Sequence, residues 1–403
     1  MWFFLYIYIV VTTLAFLPLP LPDSFWVIKE ISYFSLGLVL IGISFFDKSY
    51  PKNNFNNLWF LLAFVYLAIS FIIFFYIPIV FPRPDGGIVY NIWNIRPTIN
   101  LILALLIIKL LIDKTLNLKV WVNIASFLCW MAFLCSIYML FQYCGLDPIF
   151  NREGVKWSYV NGVFDRRIHM VGFFNNKFLS TGYLAILAPL CLMFKGLRYK
   201  IFYAVIAGTI LLSGNALSLA AIFLALLLYL ILNKNYRMVF VSIIIMAIGF
   251  TYLQHGDKEF GMLTGRDAVW RDTISYISSK GNFLNGIFGF GLGSFSGKIK
   301  FPPNLDGNTV VALSAHNEYL QVLFECGFYG LIVFMGYLIF LWIRSISNII
   351  KSNSILMIGY LCSLLSLMII AFGGFPFRIA SLGLLTILII ASLEAQNQEA
   401  LNV

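Results

Sequence analysis

Residues 314–343 read SAHNEYLQVLFECGFYGLIVFMGYLIFLWI. From Asn317 onward the only charges are Glu318 and Glu325. As a helix, 317–343 is roughly 40 Å long at 1.5 Å per residue, enough to cross a hydrocarbon layer of about 30 Å. A helix satisfies its own backbone in lipid, so this stretch predicts a membrane-crossing α-helix over 317–343.

Runs of the same kind recur on both sides of it. They predict helices at 1–17, 25–46, 58–81, 96–112, 120–144, 178–194, 200–212, 216–232, 238–253, 355–372 and 377–393. With 317–343 that makes about twelve crossings. The composition agrees: 61% hydrophobic, 17% aromatic and 11% charged residues in 403, with mean hydropathy +0.90. A soluble globular domain is excluded. The fold class is an all-α polytopic membrane protein, embedded in membrane lipid, and strands are not needed. The N-terminal segment lacks a basic leader and reads as the first membrane helix.

The net charge of +10 belongs to loop lysines and arginines that fix topology, not to nucleic-acid binding. With the N-terminus cytoplasmic, the inward short loops hold Lys48, Lys52, Lys109, Lys114, Lys119, Lys195, Arg198, Lys200, Lys234, Arg237, Arg344 and Lys351. The outward short loops hold Arg83, Arg96 and Arg378, a bias of roughly twelve to three. Both termini are then cytoplasmic. The chain divides into N-terminal helices (1–144), a first long loop (145–177), middle helices (178–253), a large loop (254–316) and C-terminal helices (317–403). Both long loops fall on the outer side, and loops of this length usually carry function. The six cysteines lie in or beside apolar runs without metal-ligand spacing, so they read as core thiols and no metal is expected.

His316 stands where the large loop meets its helix. If Ser314 caps that helix, His316 sits in the first turn, where the helix dipole disfavours imidazolium and leaves a neutral ring able to take a proton. The bland alternative is a structural histidine at a helix start. Glu318, Gln321 and Glu325 fall on one stripe of the helix, and carboxylates at such depth either line a polar cavity or pack against a partner. Arg166 and Arg167 in VFDRRIHM, and Arg266 and Arg271 in LTGRDAVWRDTI, offer planar donors for a phosphate group. Asp267 and Asp272 are close enough in sequence to pair with the latter two. The glycine-rich FGFGLGSFSG, residues 288–297, lacks the lysine and hydroxyl of a nucleotide loop and reads as a flexible loop or a tight turn. Arg378 opens the last helix on the outer side as an anchor or an anion contact.

The order of these pieces carries a resemblance. Gly265-Arg266 with Trp270, Gly291 and Gly293, His316-Asn317 with Leu320 and Gly327, and Phe375-Pro376-Phe377-Arg378 follow one another as in the O-antigen ligase and polymerase superfamily; GFFNNKFLSTGYLAI, from Gly172, resembles an earlier family segment. The resemblance implies a C-type glycosyltransferase fold of the bacterial inner membrane, with its active site on the periplasmic face and neither metal nor other cofactor. The implied donor is a glycan on undecaprenyl diphosphate. The implied acceptor is the lipid A core for a ligase, or a second lipid-linked glycan for a polymerase. The family's loop histidine falls on His316 and its loop arginine on Arg266; Arg166, Arg167 and Arg378 are candidates for binding the diphosphate. Many ligases also carry an arginine at the start of a middle helix, where this chain has Ser213, Asn215 and Ala216. A carrier-lipid flippase is the rival class, but it predicts two matched halves with interrupted helices, and no internal repeat is visible.

Overall fold

The computed structural model describes residues 80–82, 88–90, 111, 118–147, 159–160, 163–164, 170–174, 176–243, 266–295, 314–374, 376–377 and 380–402. The predicted helices at 1–17 and 25–46 lie outside these residues, as do 58–79 and, apart from Leu111, 96–112. Arg166, Arg167 and Arg378 lie outside them as well.

Among the described residues nine α-helices form the body. They are α1 (Leu118–Tyr143), α2 (Lys177–Leu192), α3 (Leu197–Ser213), α4 (Ala216–Leu232), α5 (Arg266–Lys280), α6 (Phe283–Phe288), α7 (Glu318–Ser352), α8 (Ile355–Ile370) and α9 (Ala380–Asn402). Residues 236–243 are helical too. Two short antiparallel ribbons qualify the all-α expectation: β1 (Val80–Pro82) with β2 (Ile88–Tyr90), and β3 (Tyr159–Val160) with β4 (Val163–Phe164). The first corrects a helix expected to run through residue 81. Phe81 precedes Pro82, whose ring keeps the preceding residue out of the α region, and it pairs instead with Val89. The second is separated by Asn161-Gly162, a dipeptide that favours two-residue hairpins.

The centre is α2. Every residue from Ser180 to Cys191 is buried, as expected for a helix apolar all round, and it packs against α1, α3, α4 and α8. Asn176 begins it, its side chain accepting from the backbone N–H groups of Phe178 and Leu179. On α1 the buried positions Trp121, Ala125, Leu128, Ala132, Cys135 and Met139 repeat at three- and four-residue steps, and Trp121 meets Tyr360 of α8 edge-on, ring centroids 6.3 Å apart. The joint between α3 and α4 is made by two adjacent residues. Gly214 closes α3 in the left-handed region at φ 68°, and Asn215 caps α4 through its side chain.

Helices α1 and α7 are long and apolar enough to cross a membrane. On α7 the exposed residues Phe328, Ile332, Ile339, Ile343 and Ile350 recur at steps of four and seven, an outward apolar stripe that matches lipid as the surrounding solvent. Two helices run past their expected ends, α7 to Ser352 instead of 343 and α9 to Asn402 instead of 393. The polar residues that suggested an exit pair with one another: Arg344 meets Glu394 at 3.1 Å, Tyr337 donates to Glu394, and Asn397 exchanges hydrogen bonds with Asn348 and Ser345. Arg344 is therefore part of an interhelical contact, not a loop charge.

Candidate active site

Helix α5 belongs to the segment expected to be a loop, and its first two turns supply the site with two side chains. Arg266 and Trp270 are one turn apart and project from the same side. The Arg266 guanidinium lies 4.8 Å from the ring centre of Phe178, at the start of α2, and donates through Nη1 to the carbonyl of Gly373 in the turn after α8. Partial burial pushes its pKa down, yet a guanidinium so placed remains charged. Gly373 sits tightly as well, since a Cβ there would stand 2.5 Å from Leu217 of α4. The start of α7 joins the same end of the bundle, Glu318 donating its N–H to the carbonyl of Ala371 at 2.8 Å.

His316 arrives by a route different from the expected one. The cap of α7 is Asn317, not Ser314: its side chain accepts from the N–H of Leu320 and its backbone is extended. His316 thus precedes the helix, in the left-handed region at φ 49°. Its neighbour Ala315 is buried and held twice, its N–H donating to Gln321 Oε1 at 3.0 Å and its carbonyl accepting from Trp270 Nε1 at 2.9 Å. Burial is the main reason the imidazole's pKa lies below its ordinary value, and the positive charge of Arg266 is the second. The neutral ring expected from the helix dipole is supported here by desolvation and a nearby cation.

The acidic stripe is packed. Glu318, Gln321 and Glu325 are all buried, and Gln321 Nε2 donates to Glu325 Oε1 at 3.1 Å. An open, largely apolar depression of about 280 Å³ lies alongside, lined by Trp270, Ile274, Asn317, Tyr319, Leu320, Leu323 and Leu331; none of the three stripe residues lines it.

Just beyond Glu325 the helix breaks. Gly327 has φ 65° and ψ −169°, backbone angles no L-residue adopts comfortably. The carbonyls of Phe324 and Glu325, which the break releases from the helix, accept instead from the N–H groups of Phe290 and Gly291 at 2.9 Å each. The glycine-rich segment is therefore docked backbone to backbone against α7. A Cβ on Gly289 would lie 2.3 Å from the Glu325 carbonyl, and one on Gly327 would lie 2.3 Å from the Ile287 oxygen.

The matched family segment spans this arrangement. Residues 201–335 match the family model described as O-antigen ligase. That match covers 135 of the 403 residues. The family comprises bacterial membrane enzymes of the glycosyltransferase type that act on lipid-linked glycans. No curated protein matches the chain. The matched segment contains Arg266, Trp270, Gly289, His316 and Gly327, while Phe178 and Gly373, which hold Arg266, come from outside it. Of Ser213, Asn215 and Ala216, where the resemblance leads one to expect a middle-helix arginine, Asn215 is buried, caps α4 and donates to Thr181 Oγ1 at 2.6 Å. Arg271, by contrast, points away and pairs with Asp267 on the helix surface. The roles of Trp270 and Gln321 were not read from the sequence, because each acts on a backbone atom and leaves no side-chain pattern; the four-residue step from Arg266 to Trp270 was the available signal.

Proposed function

We propose that this chain is an O-antigen ligase-type glycosyltransferase that moves a glycan from undecaprenyl diphosphate to the hydroxyl of a lipid A core acceptor at the periplasmic face of the inner membrane. The observation that carries the reading is geometric: Trp270, one helical turn from the half-buried Arg266, donates to the carbonyl of Ala315, the residue before His316, so the arginine and the histidine stand at the same end of the bundle, and both lie in the matched segment.

His316 takes the proton of the acceptor hydroxyl. The hydroxyl oxygen attacks the anomeric carbon as the bond to the diphosphate oxygen breaks, inverting the carbon, and the electron pair leaves with the diphosphate. Arg266 stabilises the charge growing there, because a fixed cation in a partly dry site acts on the leaving group more strongly than one in water. Gly373 occupies one of the five guanidinium N–H donors, and the others serve the diphosphate. Arg166, Arg167 and Arg378 are proposed to add charge to the same group. Diphosphate is a good leaving group, so one base and electrostatic stabilisation are sufficient without metal. The apolar depression beside Tyr319 and Leu323 offers a surface for the carrier's first isoprene units.

A repeat-unit polymerase is the second reading, favoured by a departure from the ligase pattern, the uncharged Ser213, Asn215 and Ala216 where many ligases carry an arginine. Deletion of the gene followed by electrophoresis of lipopolysaccharide separates the two. Loss of all attached O-chain supports the ligase, and a core bearing a single repeat supports the polymerase. Unchanged surface glycans would overturn both.

A further inference from the structure

We propose that Gln321 and Trp270 are positioning residues for His316, acting through the backbone of Ala315 rather than by contact with the imidazole. The inference rests on the reading of His316 as the base. Ala315 lies before the cap of α7, where neither helix nor ladder supplies partners for its peptide groups. Two side chains from different elements provide them, Gln321 Oε1 to its N–H and Trp270 Nε1 to its carbonyl. The Ala315 carbonyl belongs to the peptide plane that enters His316. On the other side of His316, the next residue Asn317 is anchored to α7 by its side chain and carbonyl, which accept from the N–H groups of Leu320 and Gln321. His316 is thus held from both sides in a left-handed conformation that a non-glycine residue keeps only where its surroundings over-determine it.

The orientation of Gln321 is itself specified. Its amide is buried between a donor, the Ala315 N–H, and an acceptor, the Glu325 carboxylate. Only one of the two amide orientations satisfies both. Glu325 therefore sets which atom of Gln321 faces Ala315. The stripe, expected either to line a polar cavity or to pack against a partner, serves as a relay of polarity, from Glu325 through Gln321 to the backbone that presents His316.

The test uses the full chain in membranes or detergent, with glycan transfer from the lipid-linked donor measured as kcat and KM. Gln321→Met and Trp270→Phe each remove one hydrogen bond and are expected to lower kcat by about tenfold to a hundredfold; in Gln321→Met, whose side chain lines no part of the apolar depression, donor KM is expected to change by less than about twofold. Gln321→Glu is expected to lose as much, since two carboxylates then face each other. Adding Glu325→Gln to it restores a donor–acceptor match, the new carboxylate accepting from Ala315 and the new amide donating to it, and kcat is expected to return to within about threefold of the parent. Failure of that double variant to recover, while Glu325→Gln alone is active, overturns the proposal. So does parental kcat in both Gln321→Met and Trp270→Phe. If Gln321→Met fails to insert, Trp270→Phe and the double variant decide. Full activity in His316→Ala instead overturns the base assignment, and that single variant tells the two failures apart.

Discussion

Arg266 donates to the carbonyl of Gly373, 107 residues further along the chain, and so ties α5 to the turn that follows α8. The same guanidinium lies 4.8 Å from the ring centre of Phe178, within cation–π range. Arg266→Lys keeps the charge but loses the paired planar donors. We expect it to reduce glycan transfer by about a hundredfold in a purified assay. Full activity in this variant would remove the diphosphate clamp from the mechanism.

His316 is held below the ordinary histidine pKa by burial and by Arg266, and this has two measurable consequences. The transfer rate should be flat around neutral pH and fall only below the ordinary histidine range, as the base becomes protonated. Stability should follow the same direction. The unfolded chain takes up the proton more readily than the folded one, so the contribution of His316 is complete above the ordinary histidine range and declines as pH falls through it toward the folded-state value. Thermal unfolding of His316→Gln against the parent should show a difference that changes on the acid side and is constant above it.

Gly289 and Gly327 meet backbone to backbone, with φ of 77° and 65°. Alanine at either position adds left-handed strain to a clash with atoms 2.3 Å away. Each single substitution is expected to cost at least about 3 kcal/mol, read as lost folded protein in a detergent melt. Gly208, around which a Cβ meets nothing within 4 Å, is the matched control and should accept alanine without loss.

The Arg344–Glu394 pair is buried on the Glu394 side and only partly exposed on the other. Removing one partner strands a charge. Glu394→Gln and Arg344→Met should each lower stability by about 3 kcal/mol, whereas Arg344→Met combined with Glu394→Leu should recover much of the loss. A double-mutant cycle on the melting free energy checks it, and additive losses would count against coupling.

Helix starts were more legible than helix ends. Asn176, Asn215 and Asn317 stand where apolar runs begin, and each caps its helix within two residues of the expected start. The ends of α7 and α9 were missed because charge along a chain reads as departure from lipid, while Arg344 and Glu394 neutralise each other across two helices separated by half a hundred residues. At the site, His316 and Arg266 were legible as the titratable and cationic members of a polar segment. Trp270 was visible but silent, since its partner is a carbonyl oxygen. Gly289 was read within a segment taken as a loose loop or tight turn, and its close approach to α7 needed Gly327 to be known as a break rather than a helical glycine. A lowered pKa for His316 was anticipated with a different cause, because the dipole is a local feature of sequence, while burial and the charge of Arg266 are not.

Helix α7 is continuous in sequence and divided in mechanics. Residues 318–326 are fastened to the glycine-rich segment through Phe290 and Gly291 and to the end of α8 through Glu318, while the outward apolar stripe runs from Phe328 to Ile350. The portion that follows His316 and the portion that faces lipid therefore meet at one residue without a side chain. The angle between the two portions is set by the backbone dihedrals of Gly327 alone, φ 65° and ψ −169°.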